Sequence, residues 1–515
     1  MALLSFPAAY HRLVGAAPTR PAIICDGKIA TRAELERAAD ARARAWRDVG
    51  IGEGDPIAIA LPNGIYFFEC VFAAWKLGAV PIPLSHRLPE IEQRAIVELA
   101  DPRLIVGVPA ARYPDRLVLS DADADADGDT TTSRREVLRS ESSRSGGEVS
   151  AEALPDRISP HAHAIASGGS SGRPKLIVDA QPARFDSDAA HYGMDAEVVV
   201  LIPGPLFHTG PFLNARECLM RGGLVVLMSR FDPEESLRLI AAHRVQWVNL
   251  VPTMLHRIWR LPEHARSQYD LSSLERVVSS GAPCADWLMR AWIDWIGPDR
   301  MFEAYGGTER IGGTLISGRE WLAHPGSVGR PTGGRKVRIV GEDGGEAGRE
   351  LQPGEIGDVF FLPPGGQGST YRYVGATARA TADGWETLGD VGYLDREGFL
   401  YLVDRRTDMI VTGGENVYPA EVEGVLDAHP GVDSSCVIGL ADEDLGQRLH
   451  AIVQAEPGIE VSLRAHLAKL LVRYKIPRSI EFVAEPLRDD AGKLRRAQKR
   501  AERMGTRGIA EQTDG

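Results

Sequence analysis

Short apolar runs alternate with stretches of helical polarity along the first two thirds of the chain. Strand candidates of this kind are residues 56–61, 104–108, 197–202 and 223–228. Several of these runs are continuously apolar, a pattern typical of strands that are covered on both faces of a sheet. Between them, residues 31–47 predict a helix, because Thr31 and Glu34 have the spacing of a capping box. The pattern therefore predicts an α/β fold with buried strands.

The pattern changes at about residue 325. Gly-rich turns separate short strand candidates at 336–340, 358–362 and 399–403, which indicates an antiparallel, partly barrel-like unit. A compact βα pattern resumes after the charged stretch 404–408. We therefore predict a large N-terminal body over 1–404, with βα subdomains and a distorted β-barrel. A small, mobile α+β C-terminal domain follows over 405–515, with a hinge at the charged stretch.

Composition narrows the class of protein. The 515 residues are 43% hydrophobic and 25% charged, which is typical of a globular chain of about three folding units. The net charge of -12 argues against a general attraction to nucleic acid or anionic lipid. Five cysteines without a Cys-x-x-Cys pair argue against a zinc cage or a disulfide scaffold and fit a reducing compartment.

No targeting or membrane segment is apparent in the sequence. The first residues lack a basic region, and no apolar run approaches the ~18 residues of a membrane span. We therefore predict a cytoplasmic protein. Asp and Ala alternate over 121–129, and the surrounding segment 120–148 is dense in charged and polar residues, so we expect a surface excursion without chemistry there.

A Gly/Ser-rich loop follows the strand candidate that begins at Ile165. Glycines allow backbone amides to face an anion, hydroxyls donate hydrogen bonds, and a lysine adds a point charge. These groups are Ser167, Gly168, Gly169, Ser170, Ser171, Gly172 and Lys175. The P-loop NTPase pattern does not fit, because Arg173 and Pro174 intervene before the lysine. The segment is either a polyphosphate loop or a flexible turn, and the rest of the chain decides between the two.

Four further blocks follow in order. Tyr305, Gly306, Gly307, Thr308 and Glu309 offer an aromatic face, a tight turn, a hydroxyl and a carboxylate able to hold Mg²⁺. The others are residues 389–395 with 404–405, residues 410–423 and residues 490–496. With these blocks in this order, the chain resembles the adenylate-forming superfamily of acyl-CoA synthetases, nonribosomal peptide adenylation domains and beetle luciferases. The resemblance extends from Thr31 to Lys493.

The resemblance implies a nucleotide site. The glycine- and serine-rich loop, with Lys175, is expected to hold the β- and γ-phosphates of ATP. Thr308 is expected to contact the α-phosphate and Glu309 to bind Mg²⁺. The remaining nucleotide contacts are expected from Gly281, Ala282, Pro283 and Tyr305 around the adenine and from Asp390 and Arg405 at the ribose. Lys493, on a turn of the small domain, is expected to bridge the substrate carboxylate and the α-phosphate.

The resemblance also implies sites for the thiol and the acid. After rotation of the small domain, a loop with Gly413, Gly414 and Glu415 is expected to line a tunnel for the pantetheine arm of coenzyme A. His208 is expected to gate the acyl pocket. The glycines at positions 306 and 307, together with residues 251–253, are expected to line that pocket and to leave room for a wide acid.

Each assignment has a simpler alternative. Asp390 is also a plausible turn residue, and His208 a structural histidine. Lys493 precedes a basic run of four residues, Arg495, Arg496, Lys499 and Arg500, and charge runs are usually solvated. Thr407 stands where the family usually has Asp or Lys at the hinge, which weakens the hinge assignment.

We interpret the chain as an ATP-dependent acyl-CoA ligase that uses ATP/AMP, Mg²⁺ and coenzyme A. Residues 170–179 and 404–410 resemble the branch that acts on bulky alicyclic or steroid-like acids, such as bile acids and terpenoid acids. Alternatives are an enzyme that only forms the thioester, one that loads a carrier-protein pantetheine, and a non-catalytic nucleotide sensor. The expected partners are a small carboxylic acid, ATP and CoA, with a homodimer but no nucleic acid and no membrane span.

Overall fold

The structure is a computed structural model. It describes residues 3–120, 154–168, 174–189, 191–341, 348–405, 408–412, 415–442, 444–489 and 492–505. The predicted surface excursion lies outside the described residues from position 121, and Thr407 lies outside them as well.

Helices and strands alternate along the described chain. The helices are α1 (Phe6–Ala16), α2 (Arg32–Asp48), α3 (Ile65–Lys76), α4 (Glu90–Ala100), α5 (Thr209–Met220), α6 (Pro233–His243), α7 (Pro252–Trp259), α8 (Glu263–Ser267), α9 (Asp286–Ile296), α10 (Gly318–Ala323), α11 (Pro419–Asp427), α12 (Glu460–Leu470) and α13 (Arg496–Gly505). The first strands are β1 (Leu4–Ser5), β2 (Pro21–Cys25), β3 (Lys28–Thr31), β4 (Pro56–Ile59), β5 (Val80–Pro83), β6 (Leu104–Val106), β7 (Val118–Leu119), β8 (Ala164–Gly168), β9 (Pro174–Asp179), β10 (Arg184–Phe185), β11 (Val199–Ile202), β12 (Leu224–Leu227), β13 (Trp247–Leu250) and β14 (Arg276–Ser279). The later strands are β15 (Met301–Gly306), β16 (Gly313–Ser317), β17 (Ser327–Pro331), β18 (Lys336–Val340), β19 (Gly357–Leu362), β20 (Tyr371–Val374), β21 (Asp390–Leu394), β22 (Leu400–Arg405), β23 (Ile410–Thr412), β24 (Glu415–Val417), β25 (Ser434–Asp442), β26 (Gly446–Gln454) and β27 (Ser479–Val483).

The helix predicted over 31–47 is α2. Thr31 is its N-cap, and Glu34 completes the capping box: Glu34 N donates to Thr31 Oγ1 at 3.2 Å, and Thr31 N donates to Glu34 Oε2 at 2.8 Å. One face of α2 is buried through Leu35, Ala39 and Trp46, which pack in the same core as α3. The local signal and the tertiary packing therefore agree on this helix.

A 13-stranded sheet joins about half of the strands of the chain and lies in the N-terminal body. Its order is β18-β19-β21-β22-β17-β16-β15-β14-β13-β11-β12-β2-β3. The central strands from β15 to β2 run parallel and are buried, as their continuous apolar runs predicted. Five strands after residue 325 continue this sheet at one end as antiparallel neighbours, namely β17, β18, β19, β21 and β22. The α/β fold class is thereby confirmed.

Smaller sheets complete the fold. Strands β5-β4-β6-β7 form a second parallel sheet, and β20-β9-β8 form an antiparallel one. Near the C-terminus, β25-β26-β27 pack with α11 and α12 around a separate apolar core that includes Val422, Val437 and Leu463. Among the described helices, none combines the length and apolar character that crossing a membrane requires.

Candidate active site

Four neighbouring parallel strands of the large sheet end at one edge. In open α/β sheets, ligands bind at the carboxyl ends of the strands. The segments that follow β11, β13, β14 and β15 contain, respectively, His208, residues 251–253, residues 281–283 and residues 307–309. Residues separated by about a hundred positions in the sequence are thus brought to the same edge of the sheet.

Glu309 lies in a tight turn directly after β15. Arg310 N donates to Gly307 O at 3.0 Å, which places Thr308 and Glu309 at the centre of the turn. Lys175 Nζ lies 3.3 Å from Glu309 Oε1. Tyr373 OH donates to the same oxygen at 2.6 Å and also accepts from Lys175 Nζ at 2.9 Å. The carboxylate is buried but paired, so it keeps a defined orientation.

Gly306 and Gly307 have a structural reason to lack a side chain. A Cβ atom at this position would lie 2.8 Å from Leu388 Cδ1 and 2.9 Å from Glu309 Oε2. At Gly306, a Cβ atom would lie 3.2 Å from Gly312 O in the neighbouring strand segment. Both glycines therefore make room for atoms of the protein itself, and their presence is not evidence for a wide acyl pocket.

Thr308 contacts the start of helix α5. Thr209 Oγ1, in the first residue of that helix, donates to Thr308 Oγ1 at 2.8 Å. The N-terminal end of a helix favours anions through its unpaired N–H groups and its dipole. Thr308 therefore lies at a position where a phosphate is electrostatically favoured.

Three of the residues predicted to bind adenosine lie together, namely Tyr305, Asp390 and Arg405. Tyr305 OH donates to Asp390 Oδ2 at 2.6 Å, although the two residues are 85 positions apart. Asp390 begins β21 and is paired in backbone register with Arg405 at the end of β22. The side chain of Arg405 is outside the described atoms. Residues 281–283 follow β14, and a Cβ atom on Gly281 would meet only Val251 Cγ1, at 3.4 Å.

The predicted phosphate loop is the tip of the β8–β9 hairpin. Ser167 pairs with Lys175 in backbone register, and Gly168 pairs with Pro174. The tip itself, with Gly169, Ser170, Ser171 and Gly172, lies outside the described residues, as do Gly413 and Gly414. Glu415 is described: it begins β24 and is exposed.

Lys493 lies on a turn that docks against the large body. Asp489 accepts from Lys493 N through Oδ1 at 2.9 Å, and Asp489 N donates to Lys493 O at 3.0 Å. The preceding Gly492 has φ 73° and is so close to the large body that a Cβ atom would lie 2.6 Å from Thr253 Oγ1. The structure thus brings the lysine of the small domain to the same sheet edge as the turn of Glu309.

His208 is half-buried beside this turn. Nε2 of His208 is buried and makes no hydrogen bond within the described structure. Burial, and secondarily the positive charge of Lys493, lower the pKa of His208 to about 3. At neutral pH the imidazole is therefore neutral, and it offers an uncharged surface next to the lysine.

Several residues of this site were missed by the sequence analysis. They are Tyr373, Thr370 and Thr209, together with Asp179 and Arg310. Thr370 Oγ1 donates to the backbone oxygen of Glu309 at 2.9 Å, and Arg310 pairs with Asp179 at 3.0 Å. The first contact joins residues 61 positions apart and the second joins residues 131 positions apart, so neither follows from a local motif. The one signal in the sequence was an arginine directly after Glu309.

The donor set around Glu309 fits Mg²⁺ bound together with phosphates. No cluster of three or more His, Cys, Asp or Glu side chains suited to a metal ion occurs among the described residues. Mg²⁺ is usually held by one or two carboxylates plus substrate phosphates and water. Glu309 provides one carboxylate at the edge where Lys175 and the α5 terminus favour phosphate, so the chemistry fits this mode of binding.

Comparison with known proteins agrees with this geometry. The family described as AMP-binding enzyme matches residues 11–362, and its C-terminal domain matches residues 421–493. The fatty acid–[acyl-carrier-protein] ligase ScoC of Streptomyces coeruleorubidus is 30% identical over 504 residues, covering 94% of this chain and 93% of the relative. A feruloyl-CoA synthase of an Amycolatopsis species is 31% identical over 503 residues, covering 94% and 96%.

A solved structure is also similar over nearly its whole length. The o-succinylbenzoate CoA synthetase of Bacillus subtilis, in complex with the acyl-adenylate OSB-AMP, has a TM-score of 0.78 at 26% identity and covers 97% of this chain and 98% of its own. The chain belongs to the AMP-binding enzyme family. The predictions of an ATP-dependent acid–thiol ligase and of its cofactors ATP/AMP, Mg²⁺ and coenzyme A are confirmed at the level of the family.

Proposed function

We propose that this protein joins a carboxylic acid to the thiol of coenzyme A through an acyl-adenylate, with release of AMP and pyrophosphate. The observation that carries this proposal is the docked position of the Lys493 turn. Gly492 packs against Thr253, and the charge of Lys493 acts on His208, at the sheet edge where Glu309 lies. A lysine at this place lies between the proposed acyl pocket at His208 and the proposed nucleotide site at Glu309, so it can contact both substrates.

Positioning and charge neutralisation are the main tasks of such a site. A carboxylate is a weak nucleophile and must approach a triphosphate that carries the same sign of charge. Lys493 would bridge the acid and the α-phosphate and stabilise the charge that develops as pyrophosphate leaves. Thr308 would orient the α-phosphate from the start of α5. Mg²⁺, when bound through Glu309, would neutralise the phosphate oxygens.

The nucleoside of ATP is proposed to lie beside Tyr305 and Asp390, next to the turn that carries Thr308 and Glu309. Asp390 would accept hydrogen bonds from the ribose hydroxyls, and its bond from Tyr305 fixes its orientation at 2.6 Å. Tyr305 and residues 281–283 would enclose the adenine, and Arg405 would add a donor at the ribose. Ser167 and Lys175 would hold the terminal phosphates together with the tip of the β8–β9 hairpin.

Thioester formation requires a second arrangement. We propose that the domain of residues 405–515 rotates against residues 1–404 after adenylation, which withdraws Lys493 from the site. The loop with Gly413, Gly414 and Glu415 would then line the path of the pantetheine thiol. Glycines suit this role, because a thin thiol arm must pass close to the backbone.

The acid is proposed to be bulky and alicyclic or polycyclic. This rests on the resemblance of residues 170–179 and 404–410 to ligases of steroid-like acids. The relatives act on a fatty acid, on ferulate and on o-succinylbenzoate by their names, and thus represent three different shapes of acid. His208, neutral and half-buried, would form an uncharged wall of the acyl pocket.

A second candidate acceptor is a carrier protein. ScoC is named as an acyl-carrier-protein ligase and aligns with 94% of this chain, so the same fold is compatible with a pantetheine held by a protein. An enzyme that makes only the thioester is a third version of the same reaction. A nucleotide sensor without catalysis is disfavoured, because a binder has little use for Lys493 beside Glu309 and Asp390.

A panel of carboxylic acids tests the proposal. Fatty acids, aryl acids and polycyclic acids are incubated with ATP and either CoA or a holo-carrier protein, and adenylate and thioester are detected by mass spectrometry. We expect an adenylate and a CoA thioester with a polycyclic acid, and pyrophosphate exchange that depends on that acid. If a thioester forms only from preformed adenylate, the protein is the enzyme that makes the thioester alone. If a thioester forms only on the carrier protein, the acceptor is the carrier protein and not CoA. No turnover with any acid despite ATP binding would contradict the proposal.

The cellular setting is proposed to be the cytoplasm, which supplies ATP, CoA and a reducing environment for the five cysteines. Four of these cysteines are buried, and all five are free thiols in the structure. A homodimer is a further proposal, and light scattering in solution tests it.

A further inference from the structure

Asp179 is a buried carboxylate next to the nucleotide site. Its side chain is 1% exposed, and its Oδ2 lies 3.0 Å from Arg310 Nη1 and 3.4 Å from His163 Nδ1. Burial lowers the pKa of His163 to about 3, so this histidine is neutral at pH 7. A further buried cation, Arg216, is in ion-pair range of Glu217 at 3.8 Å. Arg310 is the cation in ion-pair contact with Asp179, while the charge of the buried Arg216 also acts on this carboxylate without an ion pair.

Arg310 has an unusual backbone conformation. It closes the turn of Glu309 by donating its N–H to Gly307 O, and its φ is 56°. This left-handed conformation costs a residue with a side chain about 1–2 kcal/mol, so surrounding contacts must maintain it. The contact between the Arg310 guanidinium and Asp179 is a tertiary interaction of this kind.

Strand β9 supports the turn at two successive residues. Lys175 and Asp179 are four positions apart on this strand and so share one face. Lys175 contacts the Glu309 carboxylate, and Asp179 contacts the next residue, Arg310. Thr370 also binds the backbone oxygen of Glu309 at 2.9 Å. The orientation of Glu309 is therefore restrained at its carboxylate by Lys175 and at its backbone oxygen by Thr370.

We propose that Asp179 is a positioning residue that acts through Arg310. By holding Arg310 in its left-handed conformation, Asp179 keeps the Glu309 carboxylate directed at the Mg²⁺ of bound MgATP. This inference rests on the proposed role of Glu309 in the ligase. It assigns to the Asp179–Arg310 pair a function in nucleotide binding in addition to fold stability.

The test measures MgATP binding without any acid, by calorimetry over a range of Mg²⁺ concentrations. The variants are Asp179→Asn, Arg310→Gln, Arg310→Lys and the double variant of Asp179→Asn with Arg310→Gln. We expect the half-saturating Mg²⁺ concentration to rise about tenfold in each of the first two, and the double variant to be no worse than either, because the two residues act as one pair. Arg310→Lys should retain part of the binding. In turnover, the KM for ATP should change more than kcat.

A matched control separates positioning from general destabilisation. Arg42 and Glu69 form another partly buried ion pair, between α2 and α3. Glu69→Gln should lower the melting temperature without changing the Mg²⁺ dependence. If Asp179→Asn does not fold, Arg310→Gln still provides the test, because the Arg310 side chain is 38% exposed and tolerates the change better.

Two results would overturn the inference alone. They are an unchanged Mg²⁺ dependence in the folded variants, and fully additive effects of the two single substitutions. If the unsubstituted protein does not bind MgATP at all, the proposed function fails, and the role of Asp179 fails with it.

Discussion

Glu303 is a buried carboxyl group under the loop proposed to enclose the adenine. It lies on β15 two residues before Tyr305, and its Oε1 accepts from Cys284 N at 3.3 Å. Burial is the main cause that raises the pKa of Glu303 to about 8. At neutral pH this group is therefore mostly protonated in the folded protein, whereas in the unfolded chain it ionises at about pH 4.3.

This difference predicts how stability depends on pH. Between about pH 4.3 and 8, the folded state binds one more proton than the unfolded state, so the Glu303 contribution to stability is lost as the pH rises. Glu303→Gln removes this dependence. We expect the stability of the variant relative to the parent to increase by up to about 1.4 kcal/mol per pH unit in this window.

Thermal melting at intervals from pH 5 to 8.5 checks this prediction. Glu485→Gln, at an exposed position of the small domain, is the control and should follow the parent at every pH. Parallel melting curves for Glu303→Gln and the parent across the range would show that the buried carboxyl group does not titrate as stated.

At the scale of elements, the turn that carries Lys493 depends on a glycine. Gly492 has φ 73°, and a Cβ atom there would lie 2.6 Å from Thr253 Oγ1. Gly446 has nearly the same φ, 74°, in the hairpin between β25 and β26, but a Cβ atom there would meet nothing within 4 Å. The two glycines thus have the same backbone conformation, but only Gly492 is in close contact with the large body.

Gly492→Ala and Gly446→Ala therefore form a matched pair. Both should lose about 1 kcal/mol of stability, because alanine disfavours positive φ. Gly492→Ala should in addition slow adenylation by about tenfold, since the turn can no longer dock closely, an effect of roughly 1.4 kcal/mol on the barrier. Pyrophosphate exchange and melting temperature are measured for both variants. Equal adenylation rates in the two variants would exclude a role for the close contact.

Local elements were more predictable than contacts between them. The capping box of α2 and the buried parallel strands follow from adjacent residues and were predicted from them. The hairpin of β8 and β9 was not predicted, because the sequence indicated only a strand followed by a loop. The pairing of Lys175 with Tyr373 and of Asp179 with Arg310 joins separate strands and turns. No motif includes Tyr373, and the motif over residues 170–179 assigned no role to Asp179. The contact between Gly307 and Leu388 was not predictable either, because the two residues are distant in sequence.

At the scale of the whole molecule, exposed arginines provide polar contacts between the small domain and the large body in the described part of the chain. Arg260, directly after α7, donates through Nη1 to Val432 O at 2.6 Å and through Nη2 to Pro430 O at 3.0 Å. Arg495 pairs with Glu92 at 2.9 Å, and both side chains are exposed. Exposed ion pairs contribute little, about 0–1 kcal/mol, so this arrangement is suited to opening.

Arg260→Ala should weaken the docked arrangement. Loss of hydrogen bonds from a charged donor costs about 1.5–3 kcal/mol, so we expect adenylation to slow by about tenfold or more. Thioester formation from a supplied acyl-adenylate should be unchanged, because it requires the undocked domain. Arg319→Ala is the control, since Arg319 pairs with Asp299 within the large body. Equal losses in both half-reactions would contradict this view of the interface.

The most direct measurement of the central claim is the effect of Lys493→Ala on the two half-reactions. Acid-dependent pyrophosphate exchange should fall by about a hundredfold or more, the magnitude expected when one group that stabilises transition-state charge is removed. Conversion of synthetic acyl-adenylate to thioester should stay close to the unsubstituted rate. Lys499→Ala, in the same basic segment, should leave both reactions unchanged. Full exchange activity in Lys493→Ala would contradict the account, because the acyl-adenylate would then form without the lysine of the small domain.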